Sequence, residues 1–153
     1  MSNEKPLVRM AKPRELDWLF ENQKHFAEPY DVPKGELRNE WPCFVMVKGK
    51  EVIGFRYFQI HEVNGKKHAW VGRTCLREGY TGRGLGPILV GTANRYLHSK
   101  GFEIVQTHAY KPEAKRFWVR EGYERVSGAT LTERGNTQFK LDLKKQRQRK
   151  GPR

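Results

Sequence analysis

Near the middle of this chain, a stretch with strand periodicity meets one with helical periodicity across a run of glycines. Residues 68–76 read as strand, and Tyr80-Thr81-Gly82-Arg83-Gly84-Leu85-Gly86 follows them. After that, Leu85, Ile88, Leu89, Thr92, Ala93, Tyr96 and Leu97 fall on one helical face, and Gly101 supplies a natural stop. Phe102-Glu103-Ile104-Val105-Gln106-Thr107-His108 then reads as strand again. A helix joining two strands in this way makes them parallel neighbours with a right-handed crossover. The expected architecture is therefore α/β, with a central parallel βαβ unit.

The flanking segments set the rest of the sheet. Lys12-Pro13-Arg14-Glu15 opens a helix, because proline is tolerated at the first helical position and acids suit the first turn. Leu16, Leu19, Phe20 and Phe26 continue it at helical spacing, and a short helix is expected over 34–39. Strand signals run through 43–47 and 51–60 around a Lys48-Gly49-Lys50 turn. Asn64-Gly65 is the strongest short hairpin signal in the chain and leads into the strand over 68–76. Three antiparallel strands thus form a meander ahead of the parallel pair. Beyond it, Pro112 starts a helix carrying Ala114, Phe117 and Trp118 inward, Gly122 ends it, and residues 123–126 and 137–143 read as strands around Glu133-Arg134-Gly135-Asn136. With no internal repeat and no long linker, residues 1–143 read as one domain, a size that closes a single core.

The glycine run is also where chemistry is expected. Backbone N–H groups at a helix start have no partner inside the helix, and the helix dipole adds positive potential there. Gly82, Gly84 and Gly86 let an anion approach the main chain, and Arg83 adds a charge. A pyrophosphate suits this arrangement. The run is not GxxxxGK[ST], and it is neither GxGxxG nor in the chain's first βαβ unit, which argues against a nucleoside-triphosphate loop and a dinucleotide fold.

Thirty basic residues face seventeen acidic ones, a surplus of +13. Six of the basic residues lie in 144–153 with no acid among them. That tail is either a tether to nucleic acid or another polyanion, or a solvated, disordered end. Cys43 and Cys75 stand in no metal-ligand spacing and the five histidines form no pair, so neither a disulfide framework nor a metal site is expected. No apolar run is long enough to span a bilayer, and Met1-Ser2-Asn3-Glu4-Lys5 lacks the apolar core of a secretion signal. A reducing cytoplasm and no membrane association are expected.

Leu76-Arg77-Glu78-Gly79-Tyr80-Thr81-Gly82-Arg83-Gly84-Leu85-Gly86 resembles the coenzyme A motif of the GNAT N-acetyltransferases, [QR]-x-x-G-x-[GA]. Ala114-Lys115-Arg116-Phe117-Trp118-Val119-Arg120-Glu121-Gly122-Tyr123 is similar to that family's second signature, N-x-x-A-x-x-x-Y-x-x-x-G-F. The resemblance covers about residues 8–143 and implies a mixed, mainly antiparallel sheet of six to seven strands, with helices on both faces and the central parallel strands splayed. It implies acetyl-CoA as co-substrate and an amine acceptor. Main-chain groups of Thr74, Cys75 and Leu76 would hold pantetheine, and Thr81, Gly82, Arg83, Gly84, Leu85 and Gly86 the pyrophosphate. Lys111 and Trp118 occupy the cofactor positions of the second signature. A monomer or homodimer is expected.

The sequence departs from the family pattern at several positions. Thr81 stands where the family has Gln or Arg, and Pro87 lacks an N–H. Trp118 takes the place of the tyrosine that protonates the leaving thiolate, Lys111 that of the asparagine, and Gln106 that of a glutamate base found in some members. His108 and Tyr110 are the available replacements for proton transfer. Each has a plainer reading, His108 as a hydrogen-bonded strand end and Tyr110 as a packed aromatic. The altered positions and the basic surplus also motivate a second reading, a scaffold that has lost chemistry and binds coenzyme A, nucleic acid or a protein.

Overall fold

The computed structural model describes residues 5–22, 26, 42–109, 111–126 and 137–145. The expected helix over 34–39 and the turn at 133–136 fall outside them. Ten elements follow in the order β1 (Leu7–Met10), α1 (Pro13–Glu21), β2 (Cys43–Lys48), β3 (Glu51–Val63), β4 (Lys66–Leu76), α2 (Leu85–Ser99), β5 (Phe102–Ala109), α3 (Pro112–Arg120), β6 (Glu124–Arg125) and β7 (Thr137–Asp142). The seven strands form one sheet of order β1-β2-β3-β4-β5-β7-β6. β4 and β5 are parallel, and β1–β2, β2–β3, β5–β7 and β6–β7 are antiparallel. This is the α/β architecture that the strand–helix–strand centre requires. The chain's contacts cluster into two units, Met1–Gln59 with Gly72–Ala93 and Ile60–Val71 with Asn94–Arg153.

In the first unit, side-chain alternation along β3 separates the two faces of the sheet. Phe55 and Tyr57 pair with Val45 and Cys43 across the β2–β3 ladder and pack in a core with Leu16 and Leu19 of α1. Burial in that core pushes the Cys43 thiol up to about 12, so it stays protonated. Gly54 points the other way, toward Leu76 and Leu89 of α2. Helices therefore cover both faces. α1 opens as its sequence dictates: Pro13 lies in its first turn, and the Glu15 carboxylate accepts from the Lys12 N–H at 2.7 Å. The same carboxylate takes two hydrogen bonds at 2.8 Å from the Arg9 guanidinium.

α1 stops at Glu21, earlier than the apolar spacing predicts. Phe26 instead bridges to Arg77 and sets its ring edge-on to Phe55 at 5.2 Å, buried by tertiary packing and not on a helix face. β1 is an element the sequence analysis does not predict. Its burial pattern does not alternate, and its pairing with β2, from Leu7↔Val47 to Met10↔Phe44, is what makes it a strand.

In the second unit, β7 shows clean alternation, burying Thr137, Phe139 and Leu141. It pairs with β5 from Ile104↔Asp142 to Ala109↔Thr137. Trp118 of α3 is buried with its ring 4.9 Å from that of Tyr123, whose hydroxyl takes a hydrogen bond from the buried Asn94 amide at 3.1 Å. The hairpin between β3 and β4 turns on Asn64 and Gly65, both with positive φ (52° and 77°), the geometry that makes Asn-Gly a preferred two-residue turn.

Candidate active site

The end of β4 and the start of α2 build the loop the sequence singles out. Arg77 continues the pairing with β3 by donating to the Ile53 carbonyl at 2.7 Å, and the Tyr80 N–H turns back onto the Arg77 carbonyl at 3.0 Å. Gly82 and Gly84 take φ of 74° and 77°, left-handed values that side-chain-bearing residues rarely adopt. A Cβ built on either would meet nothing within 4 Å, so the surface around them is open. α2 begins at Leu85, which makes Gly84 its cap and Pro87 its third residue. Of the four N–H groups that a helix start leaves without an internal partner, Pro87 removes one, and Gly84, Leu85 and Gly86 retain the other three.

A chain of side chains sets the stance of this loop. The Arg83 guanidinium lies over the Tyr80 ring, 5.1 Å from its centre. The Tyr80 hydroxyl donates to one oxygen of the Glu51 carboxylate at 3.1 Å, and Arg77 reaches the other oxygen at 3.2 Å. Arg77 in turn sits over Trp18 of α1 at 6.0 Å. Sequence reasoning placed Tyr80 in the loop but missed its contact with Glu51, since no local period links residues 29 positions apart.

Thr74, Cys75 and Leu76 occupy the last positions of β4. The Cys75 side chain belongs to the core under α1, which leaves its main chain as the part able to meet a ligand. The Thr74 hydroxyl accepts at 2.6 Å from Nη1 of Arg56, a guanidinium buried completely within the sheet and lying over the Phe58 ring at 4.9 Å. A charge at that depth is costly unless partnered, so Arg56 is a built feature of β3. The one signal for it in the sequence is a charged residue at a strand position otherwise flanked by apolar ones.

In the second unit, the parallel β4–β5 ladder runs from Lys67↔Phe102 to Trp70↔Gln106. β4 continues beyond it to Leu76 and β5 to Ala109. His108 lies on the same face of β5 as Gln106, as the two-residue step requires. Its exposed ring tilts against Trp70 at 5.2 Å, and partial burial lowers its pKa below the usual histidine value, keeping the imidazole neutral at physiological pH. Gln106 accepts a hydrogen bond from the Gln138 amide at 2.6 Å and is no base. Lys111 caps α3, its carbonyl accepting from the Lys115 N–H at 3.0 Å. Trp118 is packed between Phe117 and Tyr123, each 4.9 Å away. Tyr110 lies outside the described residues. Among the described residues, no group of three or more His, Cys, Asp or Glu side chains is arranged to hold a metal ion, and no helix is long and apolar enough to cross a membrane.

Comparison with solved structures gives the same architecture. Arabidopsis thaliana NAA60 in complex with acetyl-CoA superimposes with a TM-score of 0.75 at 15% identity, covering 92% of this chain and 99% of that one. The ribosomal-protein-S18-alanine N-acetyltransferase of Escherichia coli matches with a TM-score of 0.70 at 14% identity over 91% of this chain and 94% of its own. Arabidopsis thaliana Naa50 bound to a bisubstrate analogue matches with a TM-score of 0.71 at 10% identity over 90% and 98%. No curated protein sequence matches the chain. At these identities the superpositions speak for the fold alone, and the sequence profile that matches residues 11–123 speaks for kinship. The chain belongs to the acetyltransferase (GNAT) family.

Proposed function

We propose that this protein is an N-acetyltransferase that moves the acetyl group of acetyl-CoA to a primary amine by direct attack. The observation that carries the reading is the loop at the start of α2, where Gly82 and Gly84 take left-handed conformation and the helix start, next to Arg83 in sequence, leaves three N–H groups without an internal partner. Such a start suits a diphosphate. Family membership and the acetyl-CoA and bisubstrate complexes of proteins sharing the fold support the identity of the co-substrate.

In this reading residues 1–143 act as one catalytic domain, monomeric or dimeric, in a reducing cytoplasm. The pyrophosphate rests on Thr81, Gly82, Arg83, Gly84, Leu85 and Gly86, and the pantetheine arm follows the main chain of Thr74, Cys75 and Leu76, with Lys111 and Trp118 completing the contacts. The N–H near Leu76 stabilises negative charge on the thioester oxygen as the neutral amine adds to the carbonyl carbon. The new C–N bond forms, the C–S bond breaks, and coenzyme A leaves as thiolate. The amine proton passes to His108, directly or through water, and Tyr110 protonates the thiolate. Trp118 offers only an indole N–H, which donates a hydrogen bond but is no useful acid. Positioning supplies most of the rate, so altered residues at the acid and base positions do not remove the chemistry.

Calorimetric titration with acetyl-CoA tests the proposal. Saturable binding by the parent protein, lost in Gly84→Trp, is the expected result. Absence of heat from the parent at millimolar ligand overturns it.

A further inference from the structure

We propose that the groove formed by α3 with β6 and β7 is a docking surface for the sugar–phosphate backbone of a nucleic acid. The groove encloses about 430 Å³ and is rimmed by Lys115, Arg116, Arg120 and Arg125, with no carboxylate among its lining residues. Val119 and Phe139 supply its apolar wall, and Val119 is 56% exposed. Arg116 and Arg120 stand one helical turn apart, on the stripe of α3 that also exposes Val119.

Some basic side chains of the protein are compensated by a carboxylate, and among the described residues the arginines of this groove are not. Arg9 pairs with Glu15, Lys66 with Glu103, Arg77 with Glu51 and Lys145 with Glu124. Among the described residues, Arg116, Arg120 and Arg125 make no ion pair. Like charges one turn apart on a helix repel, so such a cluster costs stability that an anionic ligand would return. Three of the four rim residues are arginine, whose planar fork matches phosphate oxygens in pairs.

Two features favour a nucleic acid over an acidic peptide. The whole chain carries +13. Moreover, β7, whose Phe139 walls the groove, is followed in sequence by residues 144–153, six of them basic and none acidic. A phosphodiester chain presents a charge at every nucleotide, where a peptide needs a matching run of acids. The apolar wall suits sugar and base edges.

The test is fluorescence anisotropy of the full chain with labelled twenty-nucleotide RNA and twenty-base-pair DNA, titrated between about 50 and about 200 mM salt. The expected result is binding that weakens steeply with salt. Charge reversal by Arg116→Glu, Arg120→Glu and Arg125→Glu together should weaken binding at least about ten-fold and flatten the log–log salt slope by about 2–3, since each phosphate contact contributes ~0.7–0.9. Single Arg→Gln variants, at exposed positions that leave the fold intact, should each remove close to one contact's share. Acetyl-CoA affinity should not change in any of them. Absence of binding at the lowest salt overturns the proposal. An unchanged salt slope in the triple variant, with truncation after Lys145 alone abolishing binding, does the same. Tighter binding to polyglutamate or to phosphatidylserine vesicles than to either nucleic acid also overturns it.

Discussion

Gly54 gives the sharpest test of how closely the end of β4 is packed. Its φ is not in the left-handed region, so alanine there is free of backbone strain and the outcome depends on space alone. An added Cβ would lie 2.8 Å from Cδ2 of Leu76, 3.2 Å from the Cys75 carbonyl oxygen and 3.5 Å from Cδ2 of Leu89. The Leu76 tip can rotate away. The Cys75 carbonyl is main chain, two residues from the 2.7 Å hydrogen bond that ties Arg77 to Ile53, and yields less. In open space Gly→Ala would stabilise by about 0.4–1 kcal/mol through the unfolded state. Overpacking costs ~1–3 kcal/mol, so the contacts win by about 1–2 kcal/mol and Gly54→Ala should lower Tm by roughly 2–8 °C. Urea and thermal denaturation measure this, and an acetyl-CoA titration should show weaker binding, because the displaced atoms belong to the Thr74, Cys75 and Leu76 main chain. Leu76→Ala in the same protein removes the shortest contact, so the double variant should lose less than the sum of the two singles. A Gly54→Ala protein as stable as its parent, or strict additivity with Leu76→Ala, would refute the argument.

Other perturbations probe the loop, the base and the first helix. Pro87→Ala restores an N–H at the third position of α2 and should tighten acetyl-CoA binding about two- to ten-fold by calorimetry. Tyr80→Leu removes the ring beneath Arg83 and should weaken acetyl-CoA about two- to five-fold while leaving acetyl-pantetheine, which lacks the diphosphate, unaffected. Burial holds the pKa of His108 below 6.5, so as the proton acceptor it loses function only as pH falls through that lowered value; the acid limb of kcat should lie below the ordinary histidine range and vanish in His108→Gln, with kcat reduced about a hundred-fold. The hydrogen bond from Arg9 holds the Glu15 carboxylate below its usual value of 4.5, so its stabilisation is present above pH 4.5 and fades as pH falls through the lowered pKa. Glu15→Gln should cost about 1–2 kcal/mol at pH 7 by urea denaturation, and much less in acid.

Much of the fold was legible because its signals are local. The change of period around the glycine run, the Asn64-Gly65 turn and Pro13 and Pro112 at helix starts each follow from the backbone preferences of a few neighbouring residues. Phe26 shows the limit. Its spacing continues the helical stripe, yet the helix ends at Glu21 and the ring is buried through contacts that no period encodes. β1 was invisible for a related reason, since a four-residue strand without alternation exists only through its partner β2. At the site, the positions of the glycines and of His108 relative to Gln106 were readable, and the side chains that hold them were not.

The sequence alone determined the parallel βαβ centre and the glycine-rich start of α2, because hydrogen-bonding period and glycine conformations are properties of consecutive residues. It also determined the basic surplus, which is a matter of composition. Tertiary structure decided that β7 lies between β5 and β6, that Arg56 is buried against Thr74, that Glu51 braces Tyr80 and Arg77, and that three arginines without acidic partners gather around one groove. These are meetings of residues far apart in the chain, chosen by which faces bury together, and no local preference specifies them.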